Sequence, residues 1–229
     1  MLIYIRMPAA QIVLCTAFLT SASIAEEPKP PHPTPEEIMA IQEALAKLGG
    51  KYLPFDDPHT KMTVHIFTLP ESTTDAELKK LPQFEFPCAL FLNYSRVSDA
   101  GLRHLAQLKQ LRQLHLLGTK ITDMGLKDLT KLQHLTILVL GSTDVTSAGV
   151  KELKELAQLT TLDLGNTKLN DLGLEQLKEL KQLTRLELSN TQVTDMGLKQ
   201  ISELKQLTAL NIGFTKVTDA GLKGLKQLK

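Results

Sequence analysis

Residues 159–182 read Leu-Thr-Thr-Leu-Asp-Leu-Gly-Asn-Thr-Lys-Leu-Asn-Asp-Leu-Gly-Leu-Glu-Gln-Leu-Lys-Glu-Leu-Lys-Gln. Residues 183–206 restate the phrase as Leu-Thr-Arg-Leu-Glu-Leu-Ser-Asn-Thr-Gln-Val-Thr-Asp-Met-Gly-Leu-Lys-Gln-Ile-Ser-Glu-Leu-Lys-Gln. Working outward in both directions, a glycine falls at Gly101, Gly125, Gly149, Gly173, Gly197 and Gly221, each 24 residues after the last. A fixed period of this size means stacked supersecondary units rather than one globular core. Solenoids of that kind present long regular surfaces, which points toward binding.

Each unit carries Leu-x-x-Leu-x-Leu-x-x-Thr-x-hydrophobic, as in Leu111-Leu114-Leu116-Thr119-Ile121 and Leu207-Leu210-Ile212-Thr215-Val217. Leu162 and Leu164 alternate with Asp163, a period of two that makes a short strand with one buried face. Leu174, Leu177, Leu180 and Leu183 follow at steps of three, which suits a short helix tightening toward its end. Lys and Glu between them give that helix a solvated outer face.

With this spacing the chain resembles the leucine-rich repeat family, in its ribonuclease-inhibitor-like, bacterial exported form with a Thr-Asp-x-Gly-Leu repeat. The resemblance implies an α/β solenoid, a right-handed horseshoe with a parallel sheet on the concave face and short helices on the convex one. The family's usual Asn or Cys after the strand is Thr here in all five copies. Thr offers one donor where Asn offers two, so the ladder between repeats is expected to hold fewer bonds per rung.

Toward the N-terminus the phrase decays. Asp75-Ala76-Glu77-Leu78 carries Glu in the glycine slot, and Pro87 replaces a leading Leu. Counting back by whole periods places strand centres at residues 66, 90, 114, 138, 162, 186 and 210. Residues 64–229 are therefore read as repeats. Residues 37–63, with a helical pattern ending at Gly49-Gly50 and two strand-like stretches, are read as an N-terminal cap of helix plus strand.

Residues 1–25 combine Arg6, an apolar run and a small-residue end at Ala25, the pattern of a secretory signal peptide. Residues 26–36, with five prolines between Pro28 and Pro35, are read as a stiff linker. The expected location is outside the cytoplasm: periplasmic, envelope or secreted. Without the leader, Lys plus Arg balances Asp plus Glu at 25 each. No basic stripe suggests nucleic acid, and no cationic amphipathic segment suggests membrane insertion. Cys88 is then a lone cysteine, expected to be a buried small hydrophobe.

No catalytic or metal-binding constellation is visible, so no enzyme activity, metal or cofactor is expected. The Asp column at 99, 123, 171, 195 and 219 is read as helix capping rather than a calcium ladder. Strand residues that flank the core leucines face the hollow side. On that basis Phe67, Phe91, His115, Leu117, Ile137 and Val139 are the expected apolar core of a partner-binding surface, with Asp163, Arg185 and Glu187 setting specificity. A competing reading folds the N-terminal cap over Phe67 and Phe91. The expected function is a monomeric, non-enzymatic protein-binding module; the alternative is an envelope protein that self-assembles through an open C-terminal edge.

Overall fold

A computed structural model describes residues 33–56 and 63–224. The expected signal peptide, most of the Pro-rich stretch, residues 57–62 and the last five residues lie outside them. Eight strands form one sheet in chain order: β1 (Lys51–Asp56), β2 (Thr63–Thr68), β3 (Cys88–Phe91), β4 (Leu111–His115), β5 (Ile137–Val139), β6 (Thr161–Asp163), β7 (Arg185–Glu187) and β8 (Ala209–Asn211). β1 pairs antiparallel with β2, and every later neighbour is parallel. From β4 onward the register advances by 24 residues per strand, so Leu114, Leu138, Leu162, Leu186 and Leu210 form one row. This is the leucine-rich-repeat solenoid.

Short helices close each coil: α2 (Asp75–Leu78), α3 (Asp99–Leu105), α4 (Asp123–Leu129), α5 (Ser147–Val150), α6 (Asp171–Leu177), α7 (Asp195–Ile201) and α8 (Asp219–Lys223). The expected tightening to a 3-10 helix occurs after α5, over Lys151–Glu155. The leucines of strand and helix meet in one continuous core, and Leu114, Leu138, Leu162, Leu126, Leu153 and Leu177 are all fully buried. Removing such apolar surface from water is the main stabilising term for a chain without a disulfide framework.

The N-terminal helix α1 (Pro35–Ala46) starts with a reciprocal cap. The Thr34 hydroxyl accepts from Glu37 N, and the Glu37 carboxylate accepts from Thr34 N at 2.7 Å. Pro35 fits the first turn because no amide donor is needed there. Ile41 and Leu45 bury the inner side of α1 in the same core as Phe84 and Phe86.

The helix starts differ from the capping expected of the Asp column. Thr122, Thr146, Thr194 and Thr218 are the capping residues, each accepting from the amide two residues on. The Asp beside each cap reaches forward instead. Asp99 holds Thr122 N at 2.9 Å and Thr122 Oγ1 at 2.6 Å, and Asp123 holds Thr146 in the same way. Asp75 grips Ser98, Asp171 grips Thr194 and Asp195 grips Thr218. Both carboxylate oxygens are thus engaged across the repeat boundary. Where Ser147 replaces Asp, Asn170 replaces Thr, and the Ser147 hydroxyl donates to Asn170 Oδ1 at 2.8 Å.

The periodic glycine follows from this clasp. A Cβ on Gly125 would strike the Asp99 carboxylate, and one on Gly197 would strike that of Asp171. Glu77 stands in the glycine slot of α2, where the place of the clasping Asp, 24 residues before Asp75, is held by Lys51 of β1. Its carboxylate instead completes a cap with Thr74.

The Thr after each strand closes its own turn rather than a ladder between repeats. Thr119 Oγ1 donates to Leu116 O, Thr143 to Leu140 O and Thr167 to Leu164 O, each at 2.6 Å. A different Thr column joins the coils: Thr136, Thr160, Thr184 and Thr208 each donate to the backbone carbonyl 24 residues earlier. The turn also holds a left-handed residue in each coil from β3 onward, Gly118 in that of β4. Ser142, Asn166 and Asn190 take this conformation, and so do Tyr94 and Phe214, at φ 60° and 58°.

Candidate functional site

The hollow side of the sheet is made of residues that alternate with the buried leucines. Its middle row, read from the strand register, is Thr68, Phe91, His115, Val139, Asp163, Glu187 and Asn211. Ile66, Ala89, Gln113, Ile137, Thr161, Arg185 and Ala209 form the row beside it.

Phe67 is not on this surface. It pairs with Leu90 in the core row, a step of 23 residues rather than 24, and is fully buried. A slip of one residue exchanges the two faces of a strand. The first strand centre is therefore Phe67, not residue 66, and Ile66 and Thr68 turn to the hollow side. Phe84 stacks on Phe67 with ring centroids 4.8 Å apart, and Tyr52 of β1 stacks on it at 5.3 Å. Tyr52 Oη also meets His65 Nδ1 at 2.8 Å. Burial and the nearby Asp56 both push the Tyr52 hydroxyl pKa up, in that order.

Ile137 lies in the expected row, between its register neighbours Gln113 and Thr161, but is only 1 % exposed. With neighbouring strands about 4.8 Å apart, mid-row side chains shield one another. His115 is also buried, its ring stacked on Phe91 at 3.8 Å and 10°. Burial pushes its pKa down to about 4, so it is neutral at physiological pH, and its Nε2 has no hydrogen-bond partner among the described residues. The His115 ring thus lies flat against Phe91 with little of its own surface open. Cys88 is buried as expected, and burial raises its thiol well above the usual range.

Phe91, Leu117, Val139, Asp163 and Glu187 remain partly open, and Arg185 is exposed. The acidic end is ordered by backbone donors. Asp163 Oδ1 accepts from Gly165 N at 2.9 Å, and Glu187 Oε1 accepts from Ser189 N at 2.8 Å. Asn211, outside the expected site, donates to Glu187 Oε2 at 2.7 Å and accepts from Gly213 N. Burial raises the Asp163 pKa to about 6, against the Gly165 hydrogen bond and with a smaller push from Glu187. Gly141 forms the floor between the two ends: Leu117 Cδ1 and Asp163 Oδ1 each lie 3.0 Å from where a Cβ on it would stand.

Ile66 and Thr68 were hidden from sequence reasoning by the 23-residue step into β3, where Pro87 interrupts the phrase. The available signal was aromatic: Phe84 and Phe86 need a large partner, and Phe67 is the one β2 offers.

Comparison with known proteins places this geometry. The family description "Leucine-rich repeat region" matches residues 65–228. An internalin (inlF) from Listeria monocytogenes is 26% identical, with a TM-score of 0.50 over 67% of this chain. The chain spans 48% of that protein's length. An internalin C2 (inlC2) from the same organism is 21% identical, with a TM-score of 0.51 over 82% of this chain and 89% of its own. A search among curated proteins gives no match.

Proposed function

Because the chain belongs to the leucine-rich repeat family, a fold used for protein–protein interaction, we propose that it is an exported, non-enzymatic module that binds a protein partner through its concave face. One observation carries the reading. Phe91, Leu117 and Val139 are partly open on the hollow side of the sheet and adjoin Asp163, Arg185 and Glu187. An apolar patch bordered by charge is what an interaction surface needs: area to desolvate, and groups to fix orientation.

On this reading residues 1–25 are the leader, 26–36 the spacer and 37–63 the cap that closes the apolar end of the stack. The module acts as a monomer beyond the cytoplasmic membrane. Among the described residues, no helix is long and apolar enough to cross a membrane.

The test is capture from an envelope extract by the immobilised chain, beside a Phe91→Ala/Leu117→Ala variant. The reading expects a partner held by the parent and lost by the variant, with melting temperatures within a few degrees. Equal capture by both would refute concave-face binding.

A further inference from the structure

We propose that the partner segment presents a cationic side chain, Lys or Arg, beside an aromatic or aliphatic one, the cation meeting Asp163 and Glu187 and the apolar group meeting Phe91, Leu117 and Val139. The inference rests on the concave-face reading above and adds the chemistry of the occupant.

Charge complementarity carries it. Asp163 and Glu187 are register neighbours on adjacent strands, so the two carboxylates stand side by side on one face. Neither forms an ion pair among the described residues. Arg185 shares the face but does not pair with them, and is exposed one row away. Backbone and Asn211 donors hold the two carboxylates in place, while Asp163 Oδ2 has no hydrogen-bond partner among the described residues. An anionic pair fixed in advance gains more from a cation than a mobile pair does, because less side-chain freedom is lost on binding.

Gly141 adds the second half. With no side chain there, the Leu117 methyl and the Asp163 carboxylate converge over bare backbone. A segment lying along the hollow meets apolar and anionic groups within one repeat of each other. A neutral or acidic partner would leave the carboxylates desolvated and unpaired, which costs more than the apolar contact returns.

The test uses the full chain and three probes of one length: 4-phenylbutylamine, 4-phenylbutan-1-ol and 4-phenylbutyrate. Backbone amide shifts of Gly165 and Ser189 are followed by NMR, because these amides donate to the two carboxylates. The amine is expected to move both signals, together with Leu117 and Val139, and Asp163→Asn/Glu187→Gln is expected to abolish the response with the fold retained by circular dichroism. If the alcohol matches the amine, the face binds apolar groups without selecting a cation: the inference fails while the concave-face reading stands. If the butyrate shifts Gly165 and Ser189 more than the amine does, the charge assignment is wrong. If no probe moves these amides, the inference is likewise overturned.

Discussion

The Asp123 carboxylate takes both the amide and the hydroxyl of Thr146, at 2.7 and 2.6 Å, across the boundary between two coils. The same clasp recurs along the stack, and each one fixes the start of a helix to the coil before it. Removing it leaves the Thr146 amide and the Thr146 hydroxyl proton without an acceptor in a half-buried seam. Asp123→Ala is expected to cost about 1–3 kcal/mol in urea denaturation. The double variant Asp123→Ser/Thr146→Asn copies the natural Ser147–Asn170 pair and is expected to recover most of the loss. Additive losses from the two single changes would contradict the clasp.

Gly125 is the counterpart of the clasp. Its missing side chain is the space the Asp99 carboxylate occupies. Gly125→Ala is expected to destabilise by about 1–3 kcal/mol through overpacking. The cost should shrink when Asp99→Ala removes the colliding group. An unchanged cost in that background would assign the glycine to another constraint.

His115 and Asp163 oppose each other with pH. Between pH about 4 and 6.5, a native His115 held neutral binds fewer protons than the unfolded chain, so stability rises with pH. Between 3.8 and about 6, a native Asp163 binds more protons than the unfolded chain, so stability falls as pH rises. The Asp163 shift corresponds to roughly 3 kcal/mol unscreened, and partial exposure brings it to about 1 kcal/mol. Asp163→Asn is expected to expose a rising melting temperature across this window, and His115→Leu a falling one. Parallel profiles for both variants and the parent would contradict the assignment.

Phe214 is 92 % exposed and holds a φ of 58°, a conformation unfavourable for a bulky residue. Its ring returns little burial energy for that strain. Phe214→Gly is expected to stabilise the chain by about 1 kcal/mol, read as a higher urea midpoint. A lower midpoint would mean that the ring contributes packing.

The sheet from β3 to β8 was legible because Leu90, Leu114 and their successors fall at even intervals, and even intervals become strand register. β2 was not, because one residue fewer separates Phe67 from Leu90, and periodicity alone cannot detect a slip where the phrase has decayed. The Asp column was visible but its partner was not. A repeat states where a side chain recurs, not whether it bonds within its own coil or the next. Phe91, Val139, Asp163 and Glu187 fall in one register row, as their spacing implies, whereas the burial of Ile137 and His115 is not stated by spacing alone. Asn211 entered the site through its bond to Glu187, a contact between coils that spacing does not reveal.

The concave-face account is tested most directly by placing a photo-crosslinking amino acid at Leu117, and separately at Lys154 in the outer helical segment, in an envelope extract. The account predicts a discrete protein adduct from position 117, suppressed by excess parent chain, and none from position 154. An adduct from 154 with none from 117 would contradict it.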